Sequence, residues 1–237
     1  MELRARLVAK VFASAGRAVP IIAAGLAETR SGKPAWWAGH EGSTIEDLDE
    51  QEFAENVSAV DVLAAGGHVV PIGPLTNVAA ALEHPRCAIR EITMMGGAFD
   101  GRTDHNIRSD VDAARVVFDA GVELTAVGLE ITEQVRLTEA DLTGLDGEPG
   151  QLLLGEVHRY WSVIGHDWNT PHDPIAVLTM VAPELFRFER GRIRIDGADG
   201  CTDFDPDPDG PHRIVRALDI EGVRHELVTR LGRACTR

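Results

Sequence analysis

The sequence predicts an α/β fold: an open, mostly parallel sheet flanked by helices. Short apolar runs alternate with segments of helical periodicity, as parallel βαβ units require. Several of those runs end on glycine-bearing turns, among them Gly73 and Gly96-Gly97. The length, 237 residues, suits one domain with a substantial core.

Leu3, Leu7, Val8, Val11 and Phe12 recur at helical spacing, so an amphipathic helix is expected over about residues 3–16, closed by Gly16. Val19 to Ala23 reads as a short apolar strand, and Gly32 to Gly42 as a loop rich in Gly and Trp. Ser43 or Thr44 is expected to cap a helix running to about Ala65, with Glu46 and Asp47 in its first turn and Gly66-Gly67 at its end. His68 to Ile72 is a continuous apolar run and predicts a buried parallel strand. Pro74 suits the first turn of a helix through Leu82. A strand over Ile89 to Met95, a helix over Val111 to Ala120 and a strand over Glu123 to Val127 follow. Helices are expected at about 138–144, 150–166 and His172 to Val181, late strands at Arg192 to Ile195 and Arg213 to Asp219, and a closing helix at Glu221 to Arg233. No repeat or linker divides residues 1–237.

The formal charge is −15, which argues against nucleic acid or an anionic membrane surface as a partner, since both need a basic face. No apolar run approaches a membrane span, and the N-terminus lacks a signal-peptide core. Cys87, Cys201 and Cys235 form neither a disulfide framework nor a metal-ligand spacing, so a reduced, cytoplasmic setting is expected. Asp203, Asp205, Asp207 and Asp209 alternate before Gly210, but an EF-hand begun at Asp205 would need glutamate where Arg216 stands. This stretch reads as an exposed acidic turn.

In an open parallel sheet, ligands bind beyond the carboxyl ends of the strands. Gly73 and Gly96-Gly97 fall there, and either serve only as turns or let backbone approach a ligand. The chain carries Gly73-Pro74-Leu75-Thr76-Asn77, Met95-Gly96-Gly97-Ala98-Phe99, Asp104-His105-Asn106 leading into Ile107-Arg108-Ser109-Asp110, and His172-Asp173-Pro174. In order and spacing these blocks resemble the inosine-uridine preferring nucleoside hydrolase family, over essentially the whole chain.

The resemblance implies hydrolysis of the bond between ribose and base of a ribonucleoside, with bound calcium. It implies that Asp173 and the backbone carbonyl of Thr76 are calcium ligands, as a hard cation's preference for oxygen allows. It places His172 near the departing base, where an imidazole can protonate a leaving nitrogen, and assigns Asp104 and Asn106 to the ribose hydroxyls. Asp104 stands where the family has glutamate, and the loop before it is short. Asp110 reads as the cap of the following helix. His40 is either an exposed loop histidine or the counterpart of a family loop histidine near the base. No tryptophan is assigned to the site.

The family also opens with an aspartate motif, roughly Asp-x-Asp-x-x-x-Asp-Asp, that supplies the general base and most of the metal shell. No such motif precedes Gly73. The resemblance therefore implies a domain N-terminally truncated relative to the family, its first strand missing. Two origins fit: a longer natural protein upstream, or a short paralogue with weakened or lost catalysis. The alternative to an enzyme is a catalytically inactive nucleoside- or ribose-binding paralogue or subunit. A homo-oligomer is compatible with the sequence, which specifies neither oligomeric state nor base preference.

Overall fold

The computed structural model describes residues 2–34, 39–53 and 57–235. Its sheet has six strands: β1 (His68–Val69), β2 (Glu91–Met95), β3 (Glu123–Val127), β6 (Phe186–Asp196), β7 (Cys201–Pro206) and β8 (His212–Leu218), in the order β1-β2-β3-β8-β6-β7. The first four in that order pair in parallel; β6 runs antiparallel to both β8 and β7. A separate two-stranded ribbon joins β4 (Leu137–Thr138) to β5 (Trp168–Asn169).

The helices are α1 (Glu2–Ser14), α2 (Ala59–Ala65), α3 (Thr76–Leu82), α4 (His105–Ser109), α5 (Val111–Asp119), α6 (Leu129–Thr132), α7 (Glu139–Leu142), α8 (Gly147–Ile164), α9 (His172–Val181) and α10 (Ile220–Cys235). Alternation along the strands sorts side chains onto two faces. Ile92, Met94, Leu124, Ala126 and Ile214 point to one core, closed by Val78, Ala81, Ala114 and Val117 of α3 and α5. Met95, Val127 and Val215 point to the other, closed by Ile131, Ile175, Leu178, Val223 and Leu227 of α6, α9 and α10.

Five expectations need correction. Val19 to Ala23 forms no strand: the segment is extended, unpaired, and Ile21 is 71% exposed. A strand needs a neighbour for its ladder, and apolar composition alone cannot supply one. Among the described residues there is no long helix from Ser43 or Thr44; residues 41–44 form turns, Leu48–Glu50 a single 3-10 turn, and of the described residues from Ser43 to Ala65 only α2 is α-helical, capped by Ser58 through the Asp61 N–H. The strand at His68 stops at Val69, because Pro71 cannot donate to a ladder. Ile72, expected buried, is half exposed. The acidic stretch is a strand through Pro206, not only a turn: β7 pairs with β6 so that Ile193 faces Phe204 and Arg194 faces Asp203. The strand expected at Arg192 to Ile195 is much longer, β6 beginning at Phe186; the other expected strands and helices fall within a few residues of expectation, and α9 spans the expected residues. Trp36 and Trp37 lie outside the described residues.

Candidate active site

Strands β2 and β3 run in parallel register to their last residues, Met95 and Val127. Beyond them the chain turns on glycine. Gly96 N–H donates to the Val127 carbonyl at 3.1 Å. A Cβ on Gly96 would stand 3.3 Å from Asp104 Oδ1 and 2.8 Å from the Met94 methyl carbon, so the backbone approaches that carboxylate as only glycine allows. Gly97 has φ +88°, a left-handed turn that folds the chain back.

Asp104 is 2% exposed and caps α4, accepting the Ile107 N–H at 3.0 Å. Burial pushes its pKa up, while the backbone N–H groups of Ile107, Gly97 and Asn106 pull it down. Much of its bonding capacity is thus given to backbone. Asn106, on the first turn of α4, donates from Nδ2 to the Met95 carbonyl at 3.2 Å, which pins it to the end of β2.

His172 and Asp173 open α9, whose buried face packs on β2. Asp173 is not the helix cap; that position is Pro171, which has no side chain to bond. Burial first, and then the charge of Asp104, together lift the Asp173 carboxyl to about 6. Two carboxylates from distant parts of the chain, one behind β2 and one on α9, thus share one electrostatic environment. No side-chain hydrogen bond or ion pair reaches the Asp173 carboxylate among the described residues. Burial lowers the pKa of His172 against the pull of Glu133, so its imidazole is neutral at pH 7. Its Nδ1 lies 2.7 Å from Thr132 Oγ1.

Two residues were not singled out by sequence. Glu130 and Thr132 both lie on α6, which leaves the end of β3. Glu130 Oε2 accepts the Phe99 N–H at 3.1 Å, and burial raises its pKa. The signal that could have found them is the one used for Gly96: polar residues just past the carboxyl end of a parallel strand.

The side chains of Thr76 and His40 have other partners. Thr76 begins α3, and its hydroxyl donates to Asp110 Oδ2 at 2.6 Å. Asp110, fully buried, caps α5 through Ala113 and also accepts from Arg30 N, Ser31 N and Ser31 Oγ. Burial pushes its pKa up, but those bonds outweigh burial and hold it low. The Thr76 hydroxyl therefore serves a buried structural network. A carbonyl at the first position of a helix joins the helical ladder and keeps one lone pair to offer. His40 packs against Tyr160 of α8, ring centroids 5.9 Å apart, and its buried Nδ1 has no partner among the described residues. Nothing described links its ring to Asp173.

Calcium takes six to eight oxygens. Among the described residues, no three His, Cys, Asp or Glu side chains group as a metal site. Asp173 offers an uncommitted carboxylate, but Asp104 is largely bonded to backbone. The described residues do not by themselves make a calcium site.

A parallel sheet with carboxylates, an amide and an imidazole gathered at its carboxyl ends is the plan of an α/β protein with a small-molecule site. The family model for inosine-uridine preferring nucleoside hydrolase matches residues 1–225, and the chain belongs to that family. Uridine nucleosidase 1 of Arabidopsis thaliana is 30% identical over 225 residues, 81% of this chain and 63% of that protein. A non-specific ribonucleoside hydrolase of Salmonella paratyphi A is 31% identical over 208 residues, 79% of this chain and 68% of that protein. The chain thus spans 63% of the length of the Arabidopsis relative. Among solved structures, a purine-preferring ribonucleoside hydrolase from Gardnerella vaginalis superposes with TM-score 0.84 at 25% identity, over 99% of this chain and 87% of the other. A plant nucleoside hydrolase gives 0.80 at 26%, over 96% and 86%. No helix among the described residues is long and apolar enough to cross a membrane.

Proposed function

We propose that this protein hydrolyses the N-glycosidic bond of ribonucleosides, giving ribose and free base. The observation that carries the reading is Asp173: a partly buried carboxylate, free of side-chain hydrogen bonds among the described residues, under the charge of Asp104 and adjacent to His172 at the strand ends. Breaking the bond leaves positive charge on the ribose, and carboxylates fixed in a water-poor site stabilise that charge where it develops. With a pKa about 6, Asp173 is mostly ionised at pH 7. The Asn106 carboxamide retains its oxygen for a ribose hydroxyl once Nδ2 is committed to Met95. His172, neutral, presents an N–H donor to the departing base rather than a full acid.

Calcium belongs to this proposal only as a weakly held ligand of Asp173 and the Thr76 carbonyl, and no step is assigned to it. Calorimetry on residues 1–237 should show weak calcium binding; tight binding would contradict the donor count. The test is incubation of inosine and uridine with the protein and calcium, with ribose read as reducing sugar. Ribose release that disappears in Asp173→Ala supports hydrolysis. Nucleoside binding without release would move the reading to a ribose-binding paralogue.

A further inference from the structure

Thr132 is fully buried and closes the one-turn helix α6. Its hydroxyl lies 2.7 Å from His172 Nδ1, 3.2 Å from the Leu129 carbonyl oxygen and 3.4 Å from that of Gly128. The hydroxyl has one proton to give. The contact with Nδ1 is of ordinary hydrogen-bond length for a hydroxyl, and the two carbonyl contacts are longer than such bonds prefer. Two arrangements satisfy these atoms: the hydroxyl gives its proton to Nδ1, leaving the ring proton on Nε2, or Nδ1–H gives to the hydroxyl, which gives its own to the Leu129 carbonyl; the longer carbonyl contacts favour the first.

α6 is also fastened to the opposite wall of the site. Leu129 N–H donates to the Gly97 carbonyl at 2.9 Å, and Phe99 N–H donates to Glu130 Oε2 at 3.1 Å. The loop so held leads directly to Asp104 and Asn106. One turn of helix thus grips the loop with its first residues and His172 with its last.

We propose that Thr132 is a positioning residue: it holds the His172 ring by Nδ1 and sets the tautomer, so that Nε2–H is the group turned to substrate. The catalytic consequence rests on the nucleoside hydrolase reading; the tautomer does not. Replacing threonine by valine keeps the shape and removes the only side-chain hydrogen bond to His172 among the described residues. The ring then has no partner fixing its rotation, and a misaligned donor slows the chemical step without weakening ground-state binding.

The experiment uses the full chain at one fixed pH. In protein carrying 15N-histidine, without nucleoside, long-range proton–nitrogen correlation reads the tautomer of His172, assigned by its loss in His172→Gln. The wild-type protein should show unprotonated Nδ1 and protonated Nε2. Thr132→Val should show a mixture and Thr132→Ser the wild-type pattern. In base release, Thr132→Val should lower kcat about 10-fold with KM little changed, and Thr132→Ser should restore it. A proton on Nδ1 in the wild type, or a wild-type spectrum and kcat in Thr132→Val, overturns the proposal. If the valine variant does not fold, the wild-type spectrum still decides. A wild-type protein that releases no base from any nucleoside defeats the hydrolase reading alone.

Discussion

At the carboxyl ends of β2 and β3, Asp104 is buried and Asp173 partly buried, neither forms an ion pair with lysine or arginine among the described residues, and both have raised pKa values. On β6, β7 and the turn after β7, three solvent-accessible acidic residues are matched to arginines: Asp205 with Arg194 at 2.8 Å, Asp207 with Arg192 at 3.2 Å, Glu189 with Arg216. Both regions are rich in carboxylates, and sequence composition does not separate them. The difference is that an antiparallel pair lays complementary charges side by side on a solvated face, where each pair is worth little. The parallel half concentrates like charge in a desolvated place, which is unfavourable for folding and useful for binding a developing cation or a metal.

The largest expected effect is at Asp173. In metal-free protein, Asp173→Asn should stabilise the fold at pH 8 while ending ribose release. The sign follows from the raised pKa: the folded state holds its proton up to about 6, the unfolded chain only to about 3.8, so stability is lost as pH rises between them. The gain should vanish below about pH 4, as thermal melts in chelator would show. A variant less stable than wild type at pH 8 would break the contrast drawn above.

Asp110 sharpens it from the other side, as a buried carboxylate that is fully satisfied. Asp110→Ala strands Thr76 Oγ1 and the Arg30, Ser31 and Ala113 N–H groups, and should destabilise by about 3 kcal/mol in urea unfolding. A loss under about 1 kcal/mol would mean that water replaces the carboxylate.

His212 is smaller in effect and is read through pH. It is 2% exposed, and its Nδ1 accepts the Ile193 N–H at 2.8 Å. Burial depresses its pKa below the ordinary 6.5, so below about pH 6.5 the unfolded chain takes up a proton that the folded protein resists. Stability should fall with pH from there downward, and His212→Asn should flatten that slope. Equal slopes in both proteins would remove His212 as the cause. The smallest effect belongs to Asp205→Asn, expected within about 0.5 kcal/mol of wild type and with unchanged base release.

The local structure around the candidate site was largely legible because it is built from local units. His172-Asp173-Pro174 opening a helix, Asp110 capping α5 and the glycines after β2 all depend on neighbours within a few residues. Where the reading failed, the missing information was long-range. Val19 to Ala23 has strand composition but no partner. Asp203 and Asp205 alternate with Phe204, a strand pattern in hindsight, yet only pairing with Arg192 and Arg194 on β6 makes a ladder of it.

By itself the sequence determined the α/β class, the parallel half of the sheet and the family, since apolar periodicity and short glycine-bearing blocks are written locally in the chain. Only the tertiary structure decided how the polar groups divide their bonds. Packing α9 on β2 brings Asp173 under the charge of Asp104, packing α3 on α5 turns the Thr76 hydroxyl toward Asp110, and packing α6 on α9 sets Thr132 against His172. Proton affinity and hydrogen-bond partnership depend on desolvation and distance across the fold, and neither is fixed by spacing along the chain.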